Sequence, residues 1–226
     1  MTHRARRTRS RGLALVPLAA VAVLVLSACD PKEAGAAAIV GPTRITESQV
    51  NNDAQSVVSA LTQMKAQVPS TDTLLRAQVE FLVDAELVDQ AAATKGITIT
   101  QGQVDALIEQ SGGRETLTQQ FVGQQDLWLP PGQLDTLARE FLTQQALGIN
   151  LAPGKTSDEQ GQAATTYVTD LAKKVGVTVS PRYGVWDPGT LRIAGVANDL
   201  SVPATAGGSS ASPSASPSPT PSPAAS

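Results

Sequence analysis

The chain carries few groups able to do chemistry. Its 226 residues hold one cysteine, Cys29, and one histidine, His3, both near the N-terminus. The one imidazole lies in the N-terminal segment that reads as an export signal, so the folded domain has none for a Ser-His-Asp triad, and one thiol with one imidazole falls short of the usual Cys/His zinc sets. No G-x-G-x-x-G or P-loop pattern occurs to cradle a phosphate. Carboxylates remain. Asp84, Glu86 and Asp89 lie close together, but on a helix they point to different sides and read as a solvated polar stripe. Arg139–Glu140 and Asp158–Glu159 read as helix-surface and helix-start charges. The expectation is therefore no catalytic residue, no metal and no cofactor.

Cys29 has a more specific reading. Five arginines (Arg4, Arg6, Arg7, Arg9, Arg11) and no acid stand in the first eleven residues, followed by a nearly apolar run of 15, Gly12 to Leu26. A basic start, an apolar run too short to span a bilayer comfortably and small residues at the end describe an export signal. L-S-A-C, Leu26 to Cys29, resembles the lipobox of bacterial lipoproteins. That resemblance implies cleavage just before Cys29, lipidation of its thiol and a lipid anchor on the extracytoplasmic face of the cell membrane. Cleavage would leave 12 basic against 20 acidic residues, a formal charge of −8, which argues against nucleic acid as a partner. No cysteine would remain for a disulfide, so the core alone must hold the fold.

The other end, from Pro203, is built of Pro, Ser, Ala, Thr and Gly without charge or aromatic residue, a composition that cannot bury enough apolar area to order itself. The expected organisation is a signal peptide at 1–28, a lipidated Cys and tether at 29–36, one domain at 37–202 and a disordered Pro/Ser-rich tail at 203–226.

Within that domain, A-A-I-V and T-R-I flank the Gly41-Pro42 turn as a short strand pair. Thr46 with Gln49 opens a helix that the apolar spacing carries to Pro69. A second runs from Ser70 or Thr71 to the Lys95-Gly96 stop, and its apolar residues fall on more than one face, as a central helix requires. Thr100 with Gln103 opens a third, ending at Ser111-Gly112-Gly113. A fourth is read over Arg114 to Gln125, a fifth from about Gly132 to Asn150 and a sixth from near Ser157 to Val175. Val177–Val179 reads as a strand, and 181–188 as ordered and non-helical. The fold class is mainly α: about six helices, a short N-terminal strand pair and a closing C-terminal strand.

Leu82, Val83, Leu87, Val88, Ala92, Gly96, Ile97, Ile99, Thr100 and Val104 fit the buried-helix motif of SurA and PrsA-type extracytoplasmic chaperones. The stretch V-x-V-x-P-R-Y-G-x-W, Val177 to Trp186, is similar to the closing segment of that family. The resemblance covers 37–110 well, 131–187 loosely and 111–130 poorly. It implies a SurA N-domain-like fold and unfolded or exported polypeptides as partners. It does not carry over prolyl isomerase activity. The gap between the fifth and sixth helices, about ten residues, is far below the roughly 50 of a small domain, and the only histidine lies in the signal segment.

A holding chaperone needs exposed apolar surface. Leu127, Trp128 and Leu129, in D-L-W-L-P-P, stand in a loop with no helical face to join, and Phe121 and Met64 are assigned to the same groove. The alternative for Trp128 is a plug folded back on the core. Tyr183 and Trp186 read as residues packed on the helices with polar tips near solvent. Two functions follow: a tethered folding factor without isomerase activity, or a non-catalytic scaffold in cell-envelope assembly.

Overall fold

The computed structural model describes residues 34–125 and 127–195. Cys29, the signal segment and the Pro/Ser tail lie outside the described residues. Strands β1 (Ala36–Val40) and β2 (Thr43–Thr46) form an antiparallel hairpin. Strand β3 (Val177–Val179) pairs with the other edge of β1, giving the order β2-β1-β3. Ala38 stands opposite Val179, and the Ser180 amide donates to the Ala37 carbonyl at 2.9 Å. The two ends of the domain are thus tied to each other.

Helix α1 (Glu47–Gln63) starts where Thr46 accepts from the Gln49 amide at 3.1 Å, and it buries Val50, Ala54, Val57 and Leu61. It stops well before Pro69. Lys65 turns to φ +55°, its amide donates to Thr62 and the Ala66 amide donates to Leu61. This closure satisfies the last carbonyls locally, so Met64 and Val68, expected on the helical stripe, are left exposed.

Helix α2 (Thr71–Lys95) is capped by Ser70 and ends at Gly96 in the left-handed conformation. It buries Leu74, Val79, Val83, Leu87 and Ala91 on several faces and packs against α1, both N-terminal strands, the last two helices and the last strand. It is the central helix that the sequence predicts. Helix α3 (Gln101–Gln110) begins with a reciprocal capping box between Thr100 and Gln103. Helix α4 (Arg114–Val122) ends three residues earlier than its sequence suggests, at Gly123. A 3-10 turn at Pro131–Gln133 leads into α5 (Leu134–Leu151), and α6 (Ser157–Val175) starts with a second capping box, Thr156 with Glu159. Only 152–156 join α5 to α6, half the length expected. The two helices come so close at Gly148 that a Cβ there would lie 2.7 Å from the Gln160 carbonyl oxygen.

After β3 the chain adds an element that the sequence reading did not include. Strands β4 (Val185–Asp187) and β5 (Arg192–Ala194) form an antiparallel hairpin, its turn closed by the Asp187 carboxylate, which accepts from the Gly189 amide and the Thr190 hydroxyl. Gly184, at φ +130°, precedes it; any Cβ there would run into the Ala194 carbonyl. The hairpin docks on α2. Arg76 Nε donates to the Tyr183 carbonyl at 3.1 Å, the Ile193 amide donates to Glu80 at 2.6 Å, and Arg192 pairs with Glu80 at 3.4 Å. Tyr183 and Trp186 pack on the core, but their polar tips do not reach solvent. Tyr183 Oη and Trp186 Nε1 are both buried without a hydrogen-bond partner.

Candidate functional site

Helices α3, α4 and α5 meet imperfectly. They bound an open groove of about 420 Å³, floored by Ile108 and Leu134 and walled by Leu107, Leu117, Phe121, Leu127, Leu137, Ala138 and Phe141. Ser111 and Gln124 are its polar members, and among the described residues no charged side chain lines it. The volume lies in the range of ligand pockets. Each helix contributes a stripe of apolar residues at helical spacing: 107 and 108 from α3; 117 and 121 from α4; 134, 137, 138 and 141 from α5. The stripes are wider than the space between the helices can cover. Phe141 is therefore 58 % exposed although it continues a core-facing row.

The loop after α4 shapes one end of the groove. The Trp128 amide donates to the Gln124 carbonyl at 2.9 Å and the Leu129 amide to the Phe121 carbonyl at 3.1 Å. Trp128 is held at φ +37°, a conformation that non-glycine residues rarely adopt. Its carbonyl accepts from Gln78 Nε2 at 3.0 Å, and Gln78, on α2, is wholly buried. A polar side chain in the core thus pins this loop.

Of the five residues singled out for client contact, Phe121 and Leu127 line the groove. Leu129 does not: it is 1 % exposed and belongs to the core, because the turn at Trp128 points it inward. Trp128 packs half-buried against the core and is not part of the groove lining. Met64 is exposed, but it lines a separate depression on α1 and α4 with Ala60, Arg114, Val122 and Pro131, so it does not share a groove with Phe121. Leu107, Leu137 and Phe141 complete the walls. Their spacing alone marks them as core, and only the positions of the neighbouring helices reveal that they are open.

A second feature corrects the reading of two of the acidic residues, while Asp89 is exposed as expected. Asp84 on α2 and Glu140 on α5 face a partly open cavity of about 120 Å³ lined also by Val88, Gln144, Ala164, Thr165, Val168 and Leu191. Neither residue is a solvated surface charge. Burial, then the nearby Glu140 charge, pushes the Asp84 carboxyl up to about 8. Burial, then Asp89, pushes Glu140 up to about 7, although Gln144 donates to it at 3.0 Å. Asp84 Oδ1 is buried with no hydrogen-bond partner. Helical spacing shows which way these side chains point, but not that α5, α6 and the β4–β5 hairpin close over them.

No group of His, Cys, Asp and Glu able to hold a metal ion occurs among the described residues, and no helix among them is long and apolar enough to cross a membrane. The architecture is thus a helical domain whose small N-terminal sheet is completed by β3, after the last helix, and which leaves an uncharged groove open between α3, α4 and α5. The family model of the SurA-like N-terminal domain matches residues 3–123, more than half of the chain, and the protein belongs to that family. Neither a curated protein nor a solved structure matches it. The matched segment contains α1 to α4, so the α5 wall of the groove lies beyond it.

Proposed function

We propose that this protein is an extracytoplasmic folding factor, tethered to the cell membrane by lipid on Cys29, that holds unfolded or exported polypeptides and carries no enzymatic activity. The groove between α3, α4 and α5 is the observation that carries the reading. It is apolar, open and uncharged, as holding chain segments of varied sequence requires. Membership of a family of chaperone-type domains supports the same conclusion. The five-residue connection at 152–156 supports the absence of an isomerase domain between α5 and α6, where relatives of this kind carry one. Binding would be driven by apolar burial, and release would follow when the client buries those side chains in its own core.

Suppression of aggregation of several unrelated unfolded proteins tests the reading, with wild type beside a Leu137→Ser, Phe141→Ser double variant. Suppression across clients, weakened in the variant, is the expected result. No suppression at several-fold molar excess, with one saturable folded partner captured from membranes, would replace this reading with the scaffold. The tether has its own test: Cys29→Ser should move the protein from the membrane to the soluble fraction, and tight attachment of the variant would sink the lipid assignment.

A further inference from the structure

We propose that the seam where α5 and the β4–β5 hairpin close on α2 is a proton-linked joint, tight while Asp84 and Glu140 hold protons and loosened as they ionise. The two carboxyls face one small cavity, and the hairpin residue Leu191 forms part of its wall. Asp84 Oδ1 has no donor to stabilise a negative charge. A buried carboxylate without a partner is costly, so the folded state favours the neutral acid.

The surrounding charges reinforce this. From α2, Glu80 and Asp89 add negative charge. From the hairpin, Arg192 favours an ionised Asp84, but its guanidinium is also held by Glu80 at 3.4 Å. On α5, Arg139 is directed away, to the Ile99 carbonyl at 2.6 Å and Gln101 at 2.8 Å. Helix α6 presents Ala164, Thr165 and Val168, none of them charged. Among the described residues no cation is dedicated to the pair, and their acid form persists to about 8 for Asp84 and about 7 for Glu140.

The hairpin is the element able to respond. Its hold on α2 includes the Ile193 amide on Glu80 and the Arg192–Glu80 pair, one helical turn from Asp84. Undocking it would open the Leu191 wall to water and let both carboxyls ionise at the ordinary carboxylate value.

Amide hydrogen exchange of the full chain in mild detergent, from pH about 5 to about 9, tests the joint at the Ile193 amide. After correction for intrinsic exchange, protection should fall about tenfold per pH unit for each proton released and level off above about pH 8. An Asp84→Asn, Glu140→Gln chain should show a flat profile. PH-independent protection in wild type, or a variant as steep as wild type, would overturn the proposal. If the variant does not fold, the wild-type profile still decides, because a flat one refutes the joint.

Discussion

Helix α5 stands between two spaces of opposite chemistry. On one side Leu134, Leu137, Ala138 and Phe141 border an open groove of about 420 Å³ with no charged lining among the described residues. On the other, Glu140, one residue before Phe141, faces Asp84 across a cavity of about 120 Å³. The larger space is apolar and open; the smaller is lined by two half-buried acids and is partly open. Side-chain type does not explain the difference, since apolar residues usually close up and acids usually find water. What stands opposite explains it. Helix α4 is too short to cover the α5 stripe, whereas α6 and the hairpin cover the acids far enough to leave them half-buried. Unfilled apolar surface is available for binding, and unneutralised buried acid makes the packing depend on protons.

The largest effect that would break this contrast is electrostatic. Asp84 and Glu140 have folded-state values above those of the unfolded chain, so their favourable contribution is complete below about pH 4 and is lost as pH rises through about 7 for Glu140 and about 8 for Asp84. Wild type should therefore lose stability between about pH 5 and pH 8. A rise of about four units for Asp84 corresponds to about 6 kcal/mol at ~1.4 kcal/mol per unit. Relaxation and water entry should reduce the measured loss to the order of 3 kcal/mol. Asp84→Asn keeps the shape of the protonated acid, so at pH about 9 it should be the more stable protein by that amount, read from urea midpoints. Equal midpoints for the two proteins at both ends of the range would mean that the cavity is wet and the acids ordinary.

On the groove side the expected effect is on binding rather than folding. Phe141 is mostly exposed, so Phe141→Ser should change stability by no more than about 0.5 kcal/mol. It should nevertheless weaken binding of a labelled apolar peptide about tenfold, equivalent to about 1.4 kcal/mol. Unchanged affinity would remove α5 from the binding surface and leave the groove a packing defect. The two variants together form the sharper test, since Asp84→Asn should move the pH profile and Phe141→Ser the affinity.

Most of the scaffold was legible because its signals are local. Thr46, Ser70, Thr100 and Thr156 stand at helix starts where their hydroxyls accept amides three residues on, and Gly96 stops α2 by its backbone conformation. The many-sided apolar pattern of α2 marked it as central. The hairpin was missed because three-residue strands at 185–187 and 192–194 carry no periodicity to read; Asp187 and Gly189 at the turn were the available signal. The site was legible only in part. Phe121 and Leu127 stood out because they lie near a break in helical pattern, whereas Phe141 looks like any core residue until the lengths of α3 and α4 are known. Asp84 looks like a surface acid until α5, α6 and Leu191 are placed around it.

A change that touches neither space gives a reference for both. Lys65 closes α1 at φ +55°, a conformation costing a non-glycine residue about 1 kcal/mol. The equivalent place in α2 is held by Gly96. Lys65→Gly should raise stability by up to about 1 kcal/mol, partly offset by the greater freedom of glycine in the unfolded chain, with the same pH slope and peptide affinity as wild type. A steeper slope would mean that the joint senses global stability rather than its own protons.

The smallest expected effect belongs to Met64, and it separates the groove from exposed apolar surface in general. Met64 is 44 % exposed and lines the depression on the α1 side of α4, while Phe121, on the same helix α4, lines the groove between α3 and α5. That depression also contains Arg114 and Glu115, so its lining is mixed and charged where the groove is not. If binding needs the uncharged groove, Met64→Ser should leave peptide affinity within about twofold and stability within about 0.5 kcal/mol, while Phe121→Ala weakens affinity. If Met64→Ser reduces affinity as much as Phe121→Ala, both sides of α4 take part in binding. The contrast would then lie between exposed apolar surface wherever it occurs and the half-buried acids alone.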